Sequence, residues 1–160
     1  MALSAAYTSG QVLTAANMNS MPFAMPTTTA GGTSSIGYIT GLAAQTVNAG
    51  VTADVTSSSM TFTGISGRLY EYMAVGQATS TSASGLADIQ VTDGSNTILQ
   101  RSYINMTNSG GGAFFCVRYV FTSTASTTIK ARVSSTTGNT TIYGAATLGA
   151  ITLRDIGPTS

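Results

Sequence analysis

Charge is scarce in this sequence, and its scarcity excludes several classes of protein. Only 7% of the 160 residues are charged, and six Lys and Arg against five Asp and Glu leave a net charge of +1. An average globular domain has about 25% charged residues. A nucleic-acid-binding protein neutralises many phosphates with Lys and Arg, so we expect no nucleic-acid partner. Low net charge also gives little solubility, which predicts a surface of small uncharged side chains or one covered by other copies.

Histidine and tryptophan are absent, and Cys116 is the single cysteine. Without His there is no Ser–His or Cys–His pair and no usual general base, while one Cys provides neither an ordinary zinc site nor an internal disulfide. We therefore expect no enzyme activity, no metal and no cofactor. Cys116 lies in the most apolar segment, which predicts a buried, unreactive thiol. No secretory signal and no apolar run of about 18 residues is present, so we expect synthesis in a reducing cytoplasm and no membrane partner.

Residues 1–35 form a segment of distinct composition, which we interpret as an N-terminal arm. It contains Pro22 and Pro26, two of the three prolines. Thr14 is a good N-cap for a helix of about two turns, which Pro22 ends. The arm has too many apolar residues for a solvated tail, and we predict that it docks on a partner through Val12, Leu13, Met18, Met21, Phe23 and Met25. The alternative is an arm packed on its own domain.

Residues 36–160 are predicted to form one all-β domain. Runs rich in Thr, Val, Ile, Tyr and Phe favour strands, and turn residues separate them about every 8–12 residues. The predicted strands are Ile36–Thr40, Met60–Ile65, Leu69–Val75, Leu86–Thr92, Thr97–Met106, Ala113–Thr122, Thr127–Ser134, Thr140–Ala145 and Ala150–Ile156. Asp93-Gly94-Ser95-Asn96 predicts a hairpin turn. This pattern is typical of an antiparallel β-sandwich or jelly roll.

The strand Ala113–Thr122 is apolar on both faces, which predicts a central strand or one whose outer face meets another subunit. Phe115, Val117, Tyr119 and Phe121 alternate on one side, and Phe114, Cys116 and Val120 on the other. We predict that core and oligomer interface are formed by Phe114, Phe115, Val117, Tyr119 and Phe121.

Other candidate sites have a simpler explanation. Glu71 and Asp88 lie on separate strands and are candidate paired carboxylates, but a solvated or ion-paired role is the better interpretation. Arg118, Lys130 and Arg132 are candidates for a small basic patch, but a solvated sheet face or an intersubunit ion pair with Asp88 or Glu71 is the better interpretation. Five tyrosines could stack on sugars, but core or interface packing is the better interpretation. They are Tyr70, Tyr72, Tyr103, Tyr119 and Tyr143. Residues 93–96 resemble a calcium loop only superficially, since a hairpin turn explains them.

Three segments resemble small virion proteins of tailed bacteriophages. Residues 7–19 (YTSGQVLTAANMN) resemble the opening of tail-fibre, minor-tail and head-appendage chains. Residues 60–70 (MTFTGISGRLY) are similar to a strand–turn–strand of those proteins, and residues 151–158 (ITLRDIGP) to their C-terminal close. The resemblance implies a virion structural protein with an N-terminal attachment arm and a β-sandwich body, and it implies no catalytic residues.

These observations predict a non-enzymatic virion subunit, made in the host cytoplasm and attached by its arm to capsid or tail. We expect a homo-oligomer, with a trimer favoured, that decorates the capsid, forms a head appendage or associates with the tail. The alternative is an adhesin that binds host-surface glycans through loops such as Thr79–Gly85 and Asn108–Gly112.

Overall fold

The computed structural model describes residues 38–40, 44–107, 109–143 and 149–159. Within these ranges the secondary structure consists of strands and turns. The strands are β1 (Tyr38–Thr40), β2 (Gln45–Val47), β3 (Thr52–Asp54), β4 (Met60–Thr63), β5 (Arg68–Ser80), β6 (Gly85–Asp93), β7 (Ile98–Met106), β8 (Gly112–Thr122), β9 (Ser126–Thr137), β10 (Thr140–Tyr143) and β11 (Ala150–Pro158).

The strands form two antiparallel sheets. In sheet I, β5 is central: β8 pairs with one edge, β11 and β10 share the other, and β1 and β2 pair beyond them. In sheet II, β7, β6 and β9 lie side by side, and β3 and β4 share the far edge of β9. Three pairs of strands each occupy one position in a sheet: β1 with β2, β3 with β4, and β10 with β11. If each pair is counted as one strand, the described residues form eight strands, and sheet I contains them in the order first, eighth, third, sixth. Sheet II contains them in the order second, seventh, fourth, fifth, and this pair of orders is the jelly roll.

The hydrophobic core lies between the sheets and is made by alternate residues of each strand. The largest buried apolar side chains include Tyr70 and Tyr72 from β5 and Ile89 from β6. Buried tyrosine hydroxyls need partners: Tyr72 donates to the Ser58 carbonyl (2.9 Å) and Tyr70 accepts from the Ile65 amide (2.8 Å). Burial raises the pKa of the Tyr72 hydroxyl far above its ordinary value, so this hydrogen bond persists at any ordinary pH.

One glycine allows two strands of sheet I to pack closely. A Cβ at Gly76 on β5 would lie 2.6 Å from the ring of Phe115 on β8, the residue directly across from it. The missing side chain therefore makes room for the buried phenylalanine, so any larger residue at position 76 would displace the ring from the core.

The predicted fold class is confirmed, with two local differences. The hairpin turn lies where predicted: Asn96 has φ of 71°, and the carboxylate of Asp93 accepts from the Ser95 and Thr97 amides at 2.8 Å. The short edge strands β2 and β3 were missed, because three paired residues leave no readable alternation. Strand β5 continues to Ser80, into the predicted loop Thr79–Gly85, because β8 pairs with it through Thr79. The predicted arm and its helix lie outside the described residues.

A candidate assembly face on sheet I

The outer surface of sheet I carries apolar side chains without a cover among the described residues. Side chains alternate between the two faces of each strand. The even-numbered residues of β5 and the odd-numbered residues of β8 face the core, so the residues between them point away from the sandwich. Register places Val75 beside Cys116, Met73 beside Arg118, and Gln77 between Phe114 and Tyr143. We call this surface the apolar face and define it by Met73, Val75, Phe114, Cys116, Val120 and Tyr143.

Two of the five interface and core residues predicted on β8 contribute only to the core, and one lies on the apolar face. Phe115 and Val117 are buried, and Tyr119 and Phe121 pack against the core as half-buried residues. Phe114 is 73% exposed at the start of the strand. An exposed apolar cluster of this kind marks interaction surfaces in soluble proteins.

Cys116 lies on the apolar face and is exposed. The prediction of a buried thiol was wrong, because Cys116 points to the outer face of sheet I, between the buried residues Phe115 and Val117. Apolar neighbours on both sides of a cysteine in sequence therefore do not bury it.

A carboxylate bound by two arginines interrupts the apolar face. Glu71 on β5 has no exposed surface, and its neighbours in register are Val120 on β8 and Arg154 on β11. Its two oxygens accept separate hydrogen bonds, one from Arg118 and one from the Nε of Arg154 at 2.5 Å. Both arginine side chains remain more than half exposed. The cluster has a net charge of +1, with the negative charge beneath and two guanidinium groups above it.

The electrostatics of Glu71 are a balance of opposing effects. Burial raises the pKa of the carboxyl, but the hydrogen bonds from Arg118 and Arg154 and their positive charges outweigh it, so the pKa lies below its usual range. Glu71 is therefore ionised at neutral pH.

The outer surface of sheet II differs because it carries several charged residues together with the exposed ring of Tyr103. Lys130 and Arg132 on β9 both bind Asp54 on β3, at 2.7 and 2.8 Å. On β6, Asp88 is buried; its Oδ2 accepts from Gln90 at 2.7 Å and forms an ion pair with Arg101 on β7 at 3.5 Å, while its Oδ1 is among the buried atoms without a hydrogen-bond partner. Arg101 also lies over the exposed ring of Tyr103.

The structure separates the other residues that were weighed as joint sites. Glu71 and Asp88 lie on the outer surfaces of different sheets, so they do not form a carboxylate pair. Arg118 lies on sheet I and the other two bases, Lys130 and Arg132, on sheet II, so the less favoured basic patch does not form, and Arg118 pairs with Glu71 of its own chain. The five tyrosines are divided among the core, the apolar face and sheet II, and they form no common platform.

The two candidate glycan loops do meet at one end of the sandwich. Ser109 donates to the Thr81 carbonyl at 3.0 Å, and the Gly110 amide to the Ser80 carbonyl at 2.8 Å. Their polar groups are thus partly used on each other.

Two further sets of residues concern the site: the predicted arm residues and Arg154. The six arm residues from Val12 to Met25 lie outside the described residues, so their contact with a partner stays a prediction. Sequence reasoning missed Arg154, although the alternation of β11 signals it: Ile151 and Leu153 are buried, which places Arg154 outward, directly across from Glu71.

Comparison with known proteins finds fold likeness only. No family model and no curated protein matches the chain. A structure of infectious bursal disease virus, Gt strain, is 13% identical with a TM-score of 0.49, over 72% of this chain and 32% of that chain. The enzymatically active domain of bacteriophage CBA120 tailspike protein 4 is 15% identical with a TM-score of 0.33, over 74% of this chain and 19% of that one. A family 16 carbohydrate-binding module is 15% identical with a TM-score of 0.24, over 72% of this chain and 74% of that one.

These likenesses do not extend to function, since this chain spans about a third of the first matched chain, 32%, and less of the second. Among the described residues no group of three or more metal-binding side chains occurs. The same residues contain no helix that is long and apolar enough to cross a membrane.

Proposed function

We propose that this protein is a non-enzymatic bacteriophage virion protein, an oligomeric subunit that decorates the capsid, forms a head appendage or associates with the tail. The observation that carries the proposal is the apolar face: an exposed aromatic and aliphatic surface, interrupted by the cluster of Glu71 with Arg118 and Arg154, which has a net charge of +1. Interfaces are depleted in charge at their centre and enriched in aromatic residues and Arg. Phe114, Tyr143 and the two arginines on Glu71 fit that composition.

The three segments that resemble phage virion proteins support the same proposal from the sequence. They occur near the start, in the middle and at the end of the chain. The middle segment contains β4 and the start of β5, and the last lies in β11. The arm would attach the subunit, and each large apolar side chain that it buries would contribute about 1.5–3 kcal/mol. Symmetry copies would multiply that attachment into high avidity.

Particle incorporation of full-length variants tests this proposal. Leu13→Asp with Phe23→Asp should remove the protein from purified particles, while Thr27→Asp with Thr29→Asp adds the same charge to the arm and should leave occupancy unchanged. Quantitative mass spectrometry of the particles measures both, and the copy number distinguishes capsid from tail. Full occupancy of the first variant would contradict attachment by the arm.

A glycan-binding adhesin is the second candidate, and the surface of sheet II favours it. The ring of Tyr103 is exposed beside the guanidinium group of Arg101, and sugars bind to such combinations of stacking and charged hydrogen bonds. Saturable binding on a glycan array that Tyr103→Ser abolishes would favour this candidate. Absence of binding, with normal particle incorporation, would favour the structural role.

A further inference from the structure

The apolar face needs a cover in the unassembled protein. A chain of net charge +1 has little electrostatic protection against association, yet Phe114 and Tyr143 lie in one row on the outside of sheet I, 73% and 40% exposed. We propose that, before assembly, residues 12–25 of the same chain cover this face. The proposal goes beyond the virion role and does not depend on it.

Charge argues for this occupant over a second copy. The Glu71 cluster gives the face a net charge of +1, so stacking two copies face to face would bring like charges together. Like charges across an interface are costly. Residues 1–37, by contrast, contain no Asp, Glu, Lys or Arg. An arm of this composition covers the face without repulsion, and it leaves the ion pairs of Glu71 with Arg118 and Arg154 intact.

Place and reach also favour the arm. Residue 37 leads directly into β1, and β1 belongs to the sheet that carries the apolar face. From β1 the chain must pass β11 and β5 to reach β8, which is about 14 Å at the usual strand spacing. Residues 26–37 span up to about 40 Å when extended, so residues 12–25 can lie anywhere over the face.

Tethering adds to this preference. A segment linked to its own site by a short stretch of chain has an effective concentration in the millimolar range. A second copy competes only at its concentration in solution. The segment also suits an irregular surface, because Met18, Met21 and Met25 have adaptable side chains that can pack around the ring of Phe114.

The native cysteine reports on the cover, since Cys116 lies within the face. We expect slow alkylation of Cys116 by iodoacetamide in the full-length protein, at a rate independent of protein concentration. Leu13→Asp with Phe23→Asp should raise the rate at least tenfold, and Thr27→Asp with Thr29→Asp should not. Equal rates in the wild-type protein and the first variant would overturn the proposal, as would protection that increases with protein concentration, which indicates a second copy.

A crosslink tests the contact without disturbing the fold. In the Met21→Cys variant, mild oxidation with copper phenanthroline should join positions 21 and 116 within one chain, visible as a monomer of altered mobility on a non-reducing gel. Ser4→Cys, which lies outside the proposed segment, serves as the matched control and should crosslink less. A predominant disulfide-linked dimer, or equal crosslinking at positions 4 and 21, would overturn the proposal.

Discussion

The outer surfaces of the two sheets differ in how they place the few charged residues of this chain. On sheet II, Lys130 and Arg132, whose side chains are largely covered, bind the half-exposed carboxylate of Asp54 and form a polar network. Sheet I exposes aromatic and aliphatic side chains, and on this surface the carboxylate of Glu71 lies beneath two arginines. Both surfaces belong to the same jelly roll, so the difference comes from sequence choice and not from topology.

This contrast assigns different energetic roles to similar ion pairs. Exposed pairs contribute little to stability because water and salt screen them. A fully buried carboxylate depends on its partners, since losing them leaves an unsolvated charge. Asp54 is half exposed, whereas Glu71 has no exposed surface. The two sites therefore provide a matched pair for experiment.

The largest expected effect is on stability when the Glu71 carboxylate is removed. Glu71→Ala should lower the free energy of unfolding by about 2 kcal/mol, because charged hydrogen bonds are lost and the two arginines then repel each other. Asp54→Ala should cost about 0.5 kcal/mol. Urea unfolding followed by circular dichroism measures both. Equal losses would show that burial makes no difference between the two surfaces.

Sequence patterns predicted the architecture well, because long strands with one buried face carry a clear period of two. In β9, Ile129, Ala131 and Val133 are buried while Lys130 and Arg132 face outward, as the alternation predicts. The short strands β2 and β3 could not be predicted, because three residues at a sheet edge are held by backbone pairing with β10 and β9 and need no side-chain pattern.

The candidate site was predictable only in part, for a different reason. Alternation along β8 separates Phe115 from Phe114, but it does not tell which side of the strand is covered. That depends on which face of sheet I packs against sheet II, and the register of β8 with β5 places Phe115 on that face and Phe114 on the other. Likewise, the partnership of Glu71 with Arg154 joins residues 83 positions apart, and only the register of β11 brings them together.

Acid should distinguish the two surfaces next. The pKa of Glu71 is lower in the folded protein than in the unfolded chain, so the unfolded chain binds the proton more readily. The stabilisation is complete above the ordinary pKa of about 4.3 and is lost as the pH falls through the depressed folded value. We expect Glu71→Gln to flatten the loss of stability below about pH 4.3 more than Asp54→Asn does. Urea midpoints between pH 2 and pH 6 measure this, and identical pH profiles of the Glu71→Gln and wild-type proteins would contradict it.

A smaller change in stability is expected at the exposed aromatic residues, one on each surface. Phe114→Ser on the apolar face and Tyr103→Ser on sheet II should each change the free energy of unfolding by less than about 1 kcal/mol, since both rings are largely exposed. Only Phe114→Ser should reduce incorporation into particles, measured by quantitative mass spectrometry. The reverse result would transfer the contact surface to sheet II and favour the adhesin.

Salt should produce the smallest effect and define the contrast most sharply. The Debye length falls from about 10 Å at 0.1 M to about 3 Å at 1 M, so high NaCl should screen the half-exposed carboxylate of Asp54 more strongly than the buried carboxylate of Glu71. The stability difference between the wild-type protein and Asp54→Ala, about 0.5 kcal/mol at low salt, should nearly disappear in 1 M NaCl. The difference for Glu71→Ala should decrease less, because its carboxylate is buried and only the guanidinium groups of Arg118 and Arg154 are accessible to ions. Parallel urea titrations at the two salt concentrations measure both differences. If the difference for Glu71→Ala disappears together with that for Asp54→Ala, the apolar face protects its carboxylate from salt no better than the surface of sheet II does.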